Sequence, residues 1–221
     1  MSRDLIAQES LDSTLDGIVA HALDRVCGCE AASIMVLNRD RHLNTLAATS
    51  EVGPESNRIQ NELGEGPCFD VVNQEQEVLR VPDMAGSAQR WPHYVPQARA
   101  LGIGSMMGFL LRTTRETLGL LNLYSSKSEA FTPRAEEVGW LFASHAAVAF
   151  ASARKDAQLH EAIATRQGIG EAMGVLMHRY KVPRSQTFEM LKKVSQGRNV
   201  KLRDIARQVV ETGELPGNEH R

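Results

Sequence analysis

The sequence predicts an α+β domain of about 140 residues, a long helix after it, and an all-helical module at the C-terminus. Three observations lead there. Segments with the apolar density of strands lie between two helical ones in the first part of the chain. No proline follows Pro133 and no glycine follows Gly139 as far as Ala164. The net charge of −2 conceals an uneven spread: residues 1–153 hold 12 basic and 19 acidic residues, a balance of −7, and residues 154–221 hold 13 and 8, a balance of +5. Such a skew points to an anionic partner for the basic half, with nucleic acid the leading class.

At 221 residues, 42% hydrophobic and 24% charged, the chain has the composition of a globular protein with one generous core or two small ones. No apolar run approaches the roughly 20 residues that span a bilayer. The opening "MSRDLIAQESLDS" lacks a basic segment followed by an apolar core. The expected location is the cytoplasm, away from the membrane. The three cysteines are Cys27, Cys29 and Cys68. An odd number without a secretion signal argues against a disulfide framework, and "CGC" without a second pair of ligands makes no metal site. Whether these thiols have a redox role is left open, and the sequence names no cofactor.

In order along the chain, "LDSTLDGIVAHALDRVC" spaces Leu11, Leu15, Ile18, Ala22 and Val26 at three- and four-residue steps, with Asp12 or Ser13 near its start. That is an amphipathic helix able to cover a sheet. "ASIMVLN" and "HLNTLAATS" read as a hairpin about "RDR". "QEVLRVPD" is a short strand ended by Pro82, and "AQRWPHYVPQARALG" an irregular stretch closing in a helical piece. "IGSMMGFLLRT" and "TLGLLNLYSS" form a second hairpin turning at "TTRE", and their apolar density makes them central strands. The irregular middle is expected to cross the sheet over a cavity.

The closing helix places Val138, Leu141, His145, Val148 and Ser152 at alternating three- and four-residue steps. A helix of some 30 residues is about 45 Å long, more than one small domain buries. Its alanine-rich seam suits a parallel homodimer, against the alternative of packing only on its own sheet.

The segment "LHEAIATRQGIGEAMGVLMHRYKVPRSQTFEMLKKVSQGRNVKLRDIARQVVETGELP" resembles the ANTAR domain, an RNA-binding module of bacterial antitermination regulators. The resemblance covers residues 159 to about 216, through "TRQGIGEAMGVLM", "TFEMLKKVSQ" and "NVKLRDIA" in that order. Residues 12 to about 150 are similar to a GAF domain, through "EGPCFDVVNQEQEVLRVPD", the tryptophan-containing middle and "LGLLNLYSSKSEAFTPRAEEVGWLFASHAA". The organisation expected is a GAF-like sensor domain over 1–133, a connecting coiled-coil helix over 134–164 and an ANTAR domain over 159–221. The resemblance implies an antiparallel sheet flanked by helices, then a three-helix unit that binds paired RNA hairpins in leader transcripts as a dimer. Two positions depart from the family: Met173 stands where a lysine is common, and Thr187 where alanine is common.

In the RNA-binding half, a helix opening near Gly168 carries Ile169, Met173, Leu176, Met177 and Tyr180 on one arc. Gly170 and Gly174, four apart, form a bare strip at its edge. The strip serves either helix packing or close approach of an RNA backbone. Pro183 opens the second helix as a first-turn residue, with Phe188, Leu191 and Val194 inward and Lys192 and Lys193 outward. Asn199 is read as the N-cap of the third, which buries Leu202, Ile205, Ala206 and Val209. The residues expected to face RNA are Arg166, Gly170, Met173, Gly174, His178, Arg179, Lys192, Lys193, Lys201 and Arg203, with Arg207 also left to solvent or phosphate.

On the sensor side, the GAF resemblance implies a pocket for a small-molecule ligand, near which Cys68, Phe69, Trp91 and Tyr94 are placed. The cyclic-nucleotide pattern of GAF domains is not evident, nor is an aspartate-phosphorylation receiver. "SQTFEMLKKVSQGRNVKLRDIARQVV" also permits a helix-turn-helix, which makes a DNA-binding transcription factor the alternative. No phosphate-cradling glycine loop, metal-binding histidine pair or nucleophile–base pairing suggests an enzyme.

Overall fold

The computed structural model describes the backbone of residues 2–38, 40, 42–74 and 76–217, and the side chains of those from residue 10 onward. Arg39 and Arg41 of the expected hairpin turn lie outside the described residues. The chain divides into two compact units, Gln8–Lys155 and a C-terminal one that starts at Asp156 and takes in the first residues of the N-terminal helix.

In the larger unit, β1 (Ala31–Leu37), β2 (Leu43–Ala48), β3 (Val78–Val81), β4 (Ser105–Arg112) and β5 (Thr117–Ser125) form one sheet in the order β2-β1-β5-β4-β3. Every neighbouring pair is antiparallel. The apolar strands β4 and β5 are central, as their composition predicts, because both of their faces are covered. Leu121 pairs with Ile34 on one side and Phe109 on the other. This row faces a core completed by Leu15, Ile18 and Ala22 of α1 (Ser2–Arg25) and by Ala143, Ala146 and Phe150 of α5 (Pro133–Tyr180). Leu120, between Met35 and Leu110, faces the second core.

Helices build that second layer where the sequence suggests an irregular crossing. They are α2 (Val52–Leu63), α3 (Pro67–Gln74) and α4 (Tyr94–Ala100). α2 escapes the apolar-period test because its buried face holds Gly53, Ser56, Asn57 and Gln60, with Ile59 its one large apolar member. It ends at Gly64, whose φ of 65° lets the amide close back on the Gln60 carbonyl. α1 also starts earlier than expected, at Ser2 instead of near Asp12.

α5 is one continuous helix of 48 residues. The separate helix expected to open near Gly168 is its continuation. Its alanine face lies on the sheet, and at Gly139 the approach leaves no room for a side chain: a Cβ would stand 2.4 Å from Phe109 Cζ. Leu141 and Val148, on the opposite face, are 56% and 64% exposed.

In the C-terminal unit, Ala172, Met173 and Leu176 of α5 pack with Leu191 of α6 (Arg184–Arg198) and Ile205, Ala206 and Val209 of α7 (Leu202–Thr212). Pro183 is the extended N-cap of α6 rather than a first-turn residue. Phe188, expected inward, is 38% exposed, since Thr187 and Leu191 take the inner positions one turn apart. The Thr187 hydroxyl donates to the Pro183 carbonyl at 3.0 Å, so the residue that departs from the family is satisfied where it is buried. Asn199 caps the end of α6, with φ 52°, and is not the N-cap of α7; that position belongs to Lys201. Asparagine tolerates this left-handed backbone better than most residues do.

The close contact at Gly139 predicts that Gly139→Val destabilises the chain by about 1–3 kcal/mol through overpacking against Phe109. Gly17→Ala on α1, whose Cβ meets nothing within 4 Å, should be neutral or stabilising by up to about 1 kcal/mol. Urea unfolding of the two variants checks both signs.

Candidate functional site

Because α5, α6 and α7 spend their apolar faces on one small core, their cations are left outside. Arg166, His178, Arg179, Lys192, Lys193 and Lys201 are exposed, and Arg203 is half-buried. Met173 is not among them. It is 7% exposed and belongs to the core, so the side chain expected on the RNA-facing surface instead fixes α5 against α6 and α7. Lys181, between α5 and α6, and Arg184, the first residue of α6, add two further exposed cations.

Gly170 and Gly174 are exposed, and a Cβ built at either meets nothing within 4 Å. Among the described residues, the bare strip packs against no other element of its unit. The cations differ in their surroundings. The Arg203 guanidinium donates to the Glu161 carboxylate and that of Arg179 to Glu214. Lys192 stands 3.9 Å from Glu189. Arg166, Lys181, Arg184, Lys193 and Lys201 have no ion pair among the described residues.

In the larger unit, Cys68, Phe69, Trp91 and Tyr94 come together in the second core. Two grooves, of about 450 Å³ beside Leu43, Thr45, Asn57 and Asn61 and about 420 Å³ beside Val78, Trp140 and Leu141, include none of the four. Helices α2, α3 and α4 cover this face of the sheet. The Trp91 indole donates to Asp70 at 3.2 Å, under the Arg90 guanidinium, which also donates to Asp70.

Within this core lies a polar cluster that apolar patterning cannot reveal. Gln60 holds the Cys68 backbone, accepting from its N–H at 2.9 Å, and donates to its sulfur at 3.3 Å. Asn122 on β5 also donates to that sulfur, at 3.4 Å. The Tyr94 and Ser56 hydroxyls are 2.8 Å apart, and those of Tyr124 and Ser33 3.3 Å apart. Asn122 Oδ1 has no hydrogen-bond partner among the described residues although the residue is fully buried. The sequence signal, visible in retrospect, is the spacing of Ser56, Asn57 and Gln60, which puts three polar side chains on one helical face.

Burial pushes the Cys68 thiol up to about 11, against the lowering effect of the Gln60 and Asn122 hydrogen bonds. It likewise raises Cys29 to about 11 and Tyr94 well above the usual phenol range. At neutral pH Cys68 is a protonated thiol with little nucleophilic character. Cys27, in contrast, is exposed.

Comparison with known proteins fits both units. A GAF domain model matches residues 8–151 and an ANTAR domain model residues 157–210. The chain belongs to the GAF domain family, and its C-terminal part is an ANTAR domain. Both are regulatory domain types rather than catalytic ones. Among solved structures, the GAF domain of an Acinetobacter phosphoenolpyruvate-protein phosphotransferase is similar at 19% identity and a TM-score of 0.50, over 69% of this chain and 92% of that one. The type II free methionine-R-sulfoxide reductase of Thermoplasma acidophilum gives 16% and 0.51 over 66% and 95%. The Thermosynechococcus elongatus PixJ GAF domain, in its blue-light absorbing form, gives 13% and 0.52 over 72% and 93%. These likenesses establish the fold of the larger unit and nothing about what it senses. No curated protein matches the chain. Among the described residues no helix is long and apolar enough to cross a membrane.

The thiol geometry predicts that iodoacetamide modifies Cys27 in the native protein and reaches Cys68 only on unfolding, as peptide mass spectrometry reports. A folded-state pKa raised from 9.0 to about 11 favours the fold fully below about pH 9 and loses that contribution as pH rises through 11. Cys68→Ala should therefore flatten the fall in stability over that alkaline window.

Proposed function

We propose that this chain is a cytoplasmic, dimeric regulator that binds paired hairpins in leader transcripts through its ANTAR domain and prevents transcription termination there under control of its GAF domain. The observation that carries the proposal is the succession of a sensor-type domain over 8–151 and an ANTAR domain over 157–210. The balance of +5 over residues 154–221 and the exposed cations of α5, α6 and α7 support it. Few aromatic side chains accompany these cations, which suits backbone contact with a folded hairpin better than stacking on a single strand. The exposed strip of Gly170 and Gly174 gives a surface on which a phosphate backbone can lie close to the helix. Regulation rather than catalysis is the chain's work in this reading.

Dimerisation through α5 is supported by Leu141 and Val148, seven residues apart and exposed on its outer side, with Leu159 and Ile163 exposed further along. The sensor is taken to hold a small molecule on the sheet face under α2, where the neutral cluster around Cys68 and Asn122 gathers hydrogen-bonding groups. A ligand there controls the ANTAR domain only so far as it binds one conformation better than another.

Capture of cellular RNA by the full-length protein, followed by sequencing, tests the proposal. Two-hairpin leader segments should be enriched, and enrichment should disappear in an Arg166→Gln, Lys193→Gln, Lys201→Gln variant. Recovery of duplex DNA in preference to RNA would favour the helix-turn-helix alternative. Gly174→Leu should keep its thermal midpoint and lose RNA affinity, since a Cβ at this position meets none of the described residues within 4 Å. Leu141→Asp with Val148→Asp should shift sedimentation from dimer to monomer.

A further inference from the structure

The two ion pairs between Arg203 and Glu161 and between Arg179 and Glu214 stand apart from the other charge contacts of the C-terminal unit. Each joins residues from different parts of the chain: Arg203, on the first turn of α7, meets Glu161 on α5, and Arg179, near the end of α5, meets Glu214 beyond α7. Each includes an N–H hydrogen bond to the carboxylate. The contacts of Lys192 with Glu189 and of Arg207 with Asp204 are looser, at 3.9 and 3.8 Å, and lie within one helix. All four partners keep a large solvent share, the side chains being 38% and 57% exposed in the first pair and 41% and 46% in the second.

We propose that Glu161 and Glu214 restrain the affinity of this unit for RNA by occupying Arg203 and Arg179; the inference rests on the RNA-binding reading above. A guanidinium forms the same forked contact with a phosphate as with a carboxylate. The glutamates thus compete directly for the groups that a transcript would engage. Exposed pairs of this kind are weak enough to be exchanged for a phosphate. A paired arginine is also already neutralised, so it displaces fewer of the cations condensed on the RNA and contributes less to the counterion release that drives binding. Charge on the freed carboxylate, within a Debye length of about 8 Å of an incoming phosphate, opposes the exchange further. The unit therefore has two classes of cation. Arg166, Lys181, Arg184, Lys193 and Lys201 are available to RNA from the start, whereas Arg179 and Arg203 are held back by carboxylates.

The test uses the full-length protein, an RNA of two tandem stem-loops, and heparin as a polyanion without bases, each titrated over a range of potassium chloride concentrations. Glu161→Gln and Glu214→Gln should each bind roughly two- to five-fold tighter at low salt, the factor that an exposed pair is worth. The slope of log affinity against log salt should steepen by about 0.7–0.9 for each arginine released. The thermal midpoint should stay within a few degrees of the parent. Glu161→Asp, which draws the carboxylate back by one methylene, should show the same change in smaller measure. In an Arg203→Gln background, Glu161→Gln should leave the slope unchanged. Unchanged or weaker binding by both glutamine variants overturns the proposal, as does a steepened slope that persists without Arg203. If the expected pattern appears with heparin and the parent does not bind the RNA, the RNA-binding reading fails and the restraint on the arginines stands.

Discussion

One unbroken helix supplies side chains to two cores, and most of the structure follows from that constraint. The first turns of α5 lay Ala143, Ala146 and Phe150 on the sheet. Its last turns give Ala172, Met173 and Leu176 to the C-terminal unit. The alternating demand explains its composition. Alanine and glycine serve where the sheet is near, as at Gly139 against Phe109, and larger side chains where α6 and α7 pack. It also gives meaning to Gly168, Gly170 and Gly174. Each costs about 1 kcal/mol of helix propensity relative to alanine, and among the described residues none has a neighbour within 4 Å of where a Cβ would be. The proposed RNA contact would give this cost a return, since a phosphate backbone can lie close to a bare helix surface.

The sheet imposes a second constraint, since a layer covered on both faces must satisfy every polar group it encloses. On the α1 and α5 side the enclosed side chains are apolar. On the α2 side the chain buries hydroxyls, carboxamides and a thiol, and these bond mainly to one another. Such a cluster contributes little net stability in comparison with an apolar replacement, because each bond made replaces one to water. Its value is in specifying positions: Gln60 ties the start of α3 to α2, and Asn122 ties both to β5.

Much of this was legible from residue patterns. Strands β4 and β5 announce themselves as central, the stretch after Gly139 as a helix without breaks, and Ile205, Ala206 and Val209 as the buried side of α7. What was illegible has specific causes. α2 buries a polar face, so Ser56, Asn57 and Gln60 look like loop residues. Three glycines disguise the continuation of α5 as a new start. Asn199 fits either end of a helix, and only the backbone angle decides for the end of α6. Met173 satisfies the period of the core and the position of a family contact at once, and packing decides between them. Pairing of Arg179 and Arg203 with Glu214 and Glu161 joins residues 35 and 42 positions apart, which no local pattern encodes.

RNA is the proposed partner of the basic, glycine-striped unit, and the GAF domain its proposed controller. Fluorescence anisotropy of one labelled two-hairpin RNA with the full-length protein, competed by the separate hairpins and by duplex DNA at several salt concentrations, tests this most directly. Tight binding that weakens steeply with salt, and that neither a single hairpin nor duplex DNA displaces at equal concentration, is the result the account predicts. Affinity indifferent to salt, or equal displacement by duplex DNA, would contradict it.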